Sequence, residues 1–107
     1  LEHILINIIG NARDAYENMD IETKEINIRA YVKDKLFIIK ISDNAGGIDK
    51  AIIDRIFEPY FTTKETNKGT GLGLYMSKKI LQDHLSGDIF ADNEDNGAVF
   101  TIILNMN

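Results

Sequence analysis

Apolar residues recur at helical spacing from the start of the chain. Ile4, Leu5, Ile8, Ile9, Ala12 and Ala15 fall three and four apart, which predicts an amphipathic helix over residues 2–17. The period then shortens to two. Ile26, Ile28, Ala30 and Val32 alternate with polar neighbours over residues 25–32, the pattern of a half-buried strand. Leu36-Phe37-Ile38-Ile39-Lys40-Ile41 reads as a second strand. The short polar stretch Lys33-Asp34-Lys35 between them predicts an antiparallel hairpin.

Asp43-Asn44-Ala45-Gly46-Gly47 breaks this pattern. A short helix is expected over residues 49–56, with Asp49 as its cap and Ile52, Ile53 and Ile56 as its apolar side. Pro59 stops it. Residues 61–71 are polar and glycine-containing, long for a connection inside a small domain, so that segment is either functional or disordered. A helix over 72–84 follows, with Leu72, Met76, Ile80 and Leu81 inward. Strands near 87–92 and 98–105 close the chain, joined by Asn93-Glu94-Asp95-Asn96-Gly97. This order predicts an α+β fold, a two-layer α/β sandwich whose mixed, mostly antiparallel sheet carries its helices on one face.

The composition narrows the chemistry. Among 107 residues, Lys+Arg number 12 and Asp+Glu 17, a net charge of −5 that does not suit a nucleic-acid binder. Hydrophobic residues at 44% and charged residues at 27% are those of a globular chain rather than a disordered one. With no cysteine there is no disulfide, thiol nucleophile or thiolate metal site. No apolar run approaches the ~20 residues that span a bilayer. Glu2, His3 and Asn7 in the opening stretch do not make a signal peptide. The chain begins without methionine and reads as one domain, residues 1–107, cut at its N-terminal side from something longer.

Three features carry candidate chemistry. Asn7 and Asn11 lie one helical turn apart beside the apolar stripe. Their amide oxygens suit Mg²⁺ and their N–H groups suit phosphate, although exposed helix polars have the same spacing. Asp43 ends a strand and precedes Gly46 and Gly47. Such a carboxylate can accept from an exocyclic amine, such as the N6 of adenine, while glycine lets backbone approach a flat ring; an ordinary Asx turn reads the same way. Gly69-Thr70-Gly71-Leu72-Gly73-Leu74 presents glycines at alternate positions where a helix begins. Backbone N–H groups and the helix dipole there favour a phosphate, and a flexible hinge is the alternative. The spacing matches neither the dinucleotide fingerprint nor the P-loop. The aromatics of Phe57-Glu58-Pro59-Tyr60-Phe61 are read as packing that anchors the base of the loop.

Taken together and in this order, these segments resemble the catalytic ATP-binding domain of two-component sensor histidine kinases. That domain has the Bergerat-type fold shared with DNA gyrase, heat-shock chaperone and mismatch-repair ATPases. Ile6-Asn7-Ile8-Ile9-Gly10-Asn11-Ala12-Arg13-Asp14-Ala15 is similar to the N box, and Asp43-Asn44-Ala45-Gly46-Gly47 to the first glycine box. Phe57-Glu58-Pro59-Tyr60-Phe61-Thr62-Thr63-Lys64 is similar to the F box, Gly69 to Leu74 to the second glycine box, and Gly97-Ala98-Val99-Phe100-Thr101 to the final strand. The family usually has glycine where Ala45 stands, and a methyl group there needs a negative φ.

The resemblance implies roles. Asn11 would coordinate Mg²⁺ bridging the phosphates, with Asn7 assisting. Asp43 would bind the adenine amine, Gly47 would allow its close approach, and Thr101 would support Asp43 through water. Residues 61–71 would form a lid over ATP. Gly69, Thr70, Gly71, Leu72 and Gly73 would meet the phosphates, with Lys64 and Lys68 neutralising charge. Hydrolytic relatives carry a glutamate four residues before the metal asparagine; Asn7 stands there and is a poor base, which points to phosphoryl transfer to a protein rather than to water. Neither His3 nor His84 has the His-Glu-x-x-x-x-Pro context of the family's acceptor. The implied partners are a separate histidine phosphoacceptor and dimerisation domain of the same parent protein and, downstream, a response regulator. No nucleic acid and no direct membrane contact are implied. The implied location is cytoplasmic, in a parent protein that can be anchored in the inner membrane. The alternatives are an anti-sigma-type protein serine kinase and a degenerate nucleotide-binding module with a regulatory role.

Overall fold

The computed structural model describes residues 1–16, 23–61, 73–94 and 97–106. Helix α1 spans Glu2–Ala15 and α2 spans Gly73–His84. Strands β1 (Ile26–Lys33), β2 (Leu36–Asp43), β3 (Gly87–Glu94) and β4 (Gly97–Asn105) form one sheet in the order β1-β2-β4-β3. Every described pair is antiparallel. Two sequence hairpins are thus joined edge to edge through β2 and β4.

Register explains where the core sits. Ile39 pairs with Ile102 and Ile41 with Phe100 across β2–β4, and Ile102 pairs in turn with Ile89 of β3. Strand side chains alternate, so these residues share one face. Ile4 and Ile8 of α1 and Leu81 of α2 pack onto that face in a single buried cluster. Burying each such side chain stabilises the fold by roughly 1.5–3 kcal/mol. The β1–β2 turn is built from Asp34 (φ 52°) and Lys35 (φ 66°), the mirror-image geometry whose twist suits a two-residue hairpin.

Four expectations are corrected. The alternating face of β1 is not half-buried: Ile28 and Val32 are 57% and 59% exposed, because α1 lies over β2 while β1 is an edge strand. Alternation sets which face a residue joins, not whether that face is covered. The segment 49–56 forms only a 3₁₀ turn at Ile53–Arg55. The Asp49 carbonyl receives the amides of both Ile52 and Ile53 and its carboxylate that of Ala51, while β-branched isoleucines and Pro59 oppose further helix. In α2 the inward stripe includes Ser77 rather than Met76. Met76 is 48% exposed and Ser77 is buried, with its hydroxyl donating to the Gly73 carbonyl at 2.8 Å. Of the aromatic cluster, Phe57 packs edge-on against Phe100 at 6.4 Å, but Tyr60 faces solvent.

A lysine ties α2 to the start of β3. Lys78 on α2 donates to the Asp88 carboxylate at 2.8 Å and to the Ile89 carbonyl at 3.0 Å, and its ammonium lies over the rings of Phe57 and Phe90. Partial burial pushes the Asp88 carboxyl up. The hydrogen bond from Lys78, the Ile89 amide, the lysine charge and the Gln82 amide outweigh it, so the pKa lies below the ordinary carboxylate value. A depressed folded-state pKa stabilises the fold above the unfolded value of about 3.9, and that contribution is lost as pH falls through the folded value. Asp88→Asn should therefore lower the melting temperature at pH 7 and flatten its decline below about pH 4. Parallel melting curves from pH 7 down to pH 3 check this; identical slopes for both proteins would contradict it.

Candidate functional site

Asp43 closes β2 on the helix-covered face. Its Oδ1 accepts the Ala45 amide at 3.0 Å and the Ala98 amide at 3.2 Å. Two backbone donors from distant parts of the chain therefore lock one carboxylate oxygen. Among the described residues Oδ2 accepts no hydrogen bond, so the carboxylate keeps a free acceptor while held in one orientation. Gly97 lies against the Asp43 peptide so closely that a Cβ there would fall 1.6 Å from the Asp43 carbonyl oxygen. Only glycine fits that position.

The turn beyond Asp43 passes through the left-handed region at Gly46 (φ 89°) and Gly47 (φ 84°). Ala45 stays out of that region, so its methyl group brings no backbone strain. The following segment is held from β3, where the Asn93 amide meets the Ile48 backbone.

Helix α1 connects this turn to the start of α2. At its C-terminal end, the Tyr16 hydroxyl accepts the Asn44 amide at 3.0 Å. It has a single proton to donate, for which the Glu25 carbonyl and the Asn44 side-chain oxygen compete. The Asn44 side chain also accepts the Glu25 amide and donates to the Thr23 carbonyl. Nine residues earlier, or about 13.5 Å along the helix axis, Asn7 donates to the Ser77 hydroxyl at 3.3 Å. A Cβ at Gly73 would lie 3.8 Å from the Asn7 side chain, so Asn7 adjoins the first turn of α2. Asn11 follows one turn later on α1 and is half-buried. The site thus runs from a carboxylate and a glycine turn, along two amides of α1, to a helix N-terminus.

Asn7, Asn11, Asp43, Gly47 and Gly73 all lie along this path. Lys64, Lys68, Gly69, Thr70, Gly71 and Leu72 lie outside the described residues, as does the expected lid apart from Phe61. Thr101 is not brought to the site. In β4 it pairs with Lys40 and Phe90, three positions from Ala98, on the sheet face opposite Asp43. The backbone of Ala98, not the side chain of Thr101, supports the carboxylate. The motifs assign no role to Tyr16, Asn44 or Asn93. Tyr16 continues the spacing of Ile8 and Ala12, and Asn93 puts an amide where the alternation of Ile89 and Ala91 calls for an apolar residue.

Among the described residues no cluster of three or more His, Cys, Asp or Glu could hold a metal.

The model of the family described as "Histidine kinase-, DNA gyrase B-, and HSP90-like ATPase" matches residues 1–107. The chain is 37% identical over 107 residues to the two-component sensor PprA of Pseudomonas aeruginosa, covering 97% of this chain and 12% of that protein. It is 40% identical over 109 residues to the signal transduction histidine-protein kinase AtoS of Escherichia coli, covering 100% of this chain and 17% of that protein. The chain thus spans less than a fifth of the length of these curated relatives. A nucleotide-free structure of the catalytic domain of histidine kinase ThkA superposes with a TM-score of 0.80 at 33% identity, covering 96% of this chain and 64% of that one. ThkA in complex with the response regulator protein TrrA superposes with a TM-score of 0.75 at 27% identity, covering 97% of this chain and 28% of that one.

Tyr16→Phe should destabilise the chain by about 1–3 kcal/mol, because it leaves a partly buried amide without its acceptor. Urea unfolding checks this; a midpoint equal to wild type would show that the hydroxyl does not tie α1 to the turn.

Proposed function

This chain belongs to the histidine kinase-, DNA gyrase B- and HSP90-like ATPase family, and from that premise we propose that it binds Mg-ATP. We further propose that it donates the γ-phosphoryl group to a histidine on a separate dimerisation and phosphoacceptor domain of its parent protein. The observation that carries the nucleotide reading is Asp43. One of its oxygens is clamped by two amides, the other accepts from no described residue, and Gly46 and Gly47 follow at positive φ, an arrangement that suits an adenine amine.

In this reading Asp43 Oδ2 accepts from adenine N6, and Gly47 gives the ring room to approach. Asn11 contributes its amide oxygen to Mg²⁺, which supplies neutralisation of phosphate charge. Gly73 stands at the phosphate end, where the family resemblance also assigns Lys64, Gly69, Thr70, Gly71 and Leu72. Asn7 supports the histidine-kinase reading over a hydrolase. It is uncharged and its Nδ2 already donates to Ser77, so it offers no base to activate water. In the proposed transfer the β–γ bridging P–O bond breaks as a P–N bond forms to the acceptor imidazole. ADP leaves and the imidazole proton passes to solvent. The chain's own residues orient the donor and do no covalent chemistry.

The sensor-kinase relatives support a larger parent protein of which this is the catalytic domain. ThkA has been solved with a response regulator, which supports a response regulator as the downstream partner here. The same relatives support placing the domain on the cytoplasmic side. Among the described residues no helix is long and apolar enough to cross a membrane.

Asp43→Asn keeps the side-chain shape but removes the charge-assisted hydrogen bond to adenine, worth about 1.5–3 kcal/mol. ATP affinity should fall at least about tenfold, and in the parent protein the yield of acid-labile phosphohistidine should fall with it. Calorimetric titration checks the affinity; a value equal to wild type would overturn the adenine assignment.

A further inference from the structure

Asn93 is the penultimate residue of β3 and lies on the sheet face that carries Ile89 and Ala91 toward the helices. Its amide meets both backbone groups of one residue. Oδ1 accepts the Ile48 amide at 2.6 Å, and Nδ2 donates to the Ile48 carbonyl at 2.7 Å. The side chain thereby imitates the edge of a neighbouring strand, pairing both backbone groups of a residue 45 positions away in sequence.

Ile48 directly follows Gly46 and Gly47, both at positive φ. Consecutive glycines have wide conformational freedom, so the turn needs external restraint to keep one shape. Asp43 restrains its first half through the Ala45 amide, and Asn93 restrains the exit. The same amide lies over Gly47: a Cβ at that residue would meet Asn93 Oδ1 at 2.7 Å. The tip of the β3–β4 hairpin therefore grips the turn at three points, through Asn93 on Ile48, Gly97 against the Asp43 peptide and the Ala98 amide on the Asp43 carboxylate.

We propose that Asn93 is a positioning residue for the nucleotide: by clamping the Ile48 peptide it fixes the glycine turn beside Asp43 in the shape that receives the adenine ring. This rests on the nucleotide reading above. Asn93 touches no nucleotide itself, and acts by sparing the ligand the cost of ordering the turn.

The test uses the full 107-residue chain, ADP as the probe and Asp88→Asn as a control that weakens the other end of the same strand. Asn93→Ala should bind ADP about tenfold more weakly than wild type. The Ile48 amide should exchange with solvent at least about tenfold faster in the ligand-free protein, while Ile39 and Ile102 stay protected. Asn93→Ser, which keeps one hydroxyl near the Ile48 peptide, should fall between and serves if the alanine variant does not fold. Asp88→Asn should lose stability while binding ADP as wild type does. Equal ADP affinity in wild type and both Asn93 variants would overturn the proposal, and so would an equal loss in the Asp88 control. Unchanged exchange at Ile48 would overturn the clamp itself. A wild-type chain that binds no ADP would instead overturn the nucleotide reading, a failure visible before any variant is made.

Discussion

One carboxylate oxygen with two backbone donors organises the functional end of this molecule. Asp43 Oδ1 joins the residue two positions ahead to a strand that begins more than fifty residues later. These two bonds tie the end of β2, the first half of the glycine turn and the start of β4 together. The geometry of the site follows from that unit. Oδ1 is spent on structure, no described residue donates to Oδ2, and Gly97 is obligatory because the Asp43 peptide occupies the space of its side chain.

The core supplies the frame on which this unit rests. β2 and β4 are central strands whose isoleucines and Phe100 meet Ile4, Ile8 and Leu81, so the end of β2 cannot drift relative to α1 or α2. Helix α1 is bonded at both ends of the site, to the turn through Tyr16 and Asn44 and to α2 through Asn7 and Ser77.

The elements legible in the sequence were those with a strong period. Helix α1 and both hairpins follow directly from spacing, and Asp43 and Gly47 stood out as a polar break after an apolar strand. What was not legible depends on contacts across the chain. Ser77 takes the inward place between Leu74 and Leu81 that an apolar stripe drawn through Met76 passes over; its hydroxyl is satisfied by the i−4 carbonyl of Gly73 and by Asn7, 70 positions away. β1 alternates like a half-buried strand yet stays exposed because no described helix crosses it. Thr101 was carried to the site by its place in a motif, and side-chain alternation in β4 turns it away. Asn93 looked like a turn residue, and its role rests on a partner 45 positions distant.

The central claim is that the free oxygen of Asp43 is an adenine receptor, with the triphosphate directed along α1 toward α2. A crystal structure of the chain with ADP and Mg²⁺ tests it most directly. The account predicts adenine N6 within hydrogen-bond distance of Asp43 Oδ2, the ring against Gly47 and the phosphates beside Asn11 and Gly73. An adenine ring bound elsewhere, or an Asp43 Oδ2 paired with the protein's own groups while nucleotide is bound, would contradict it.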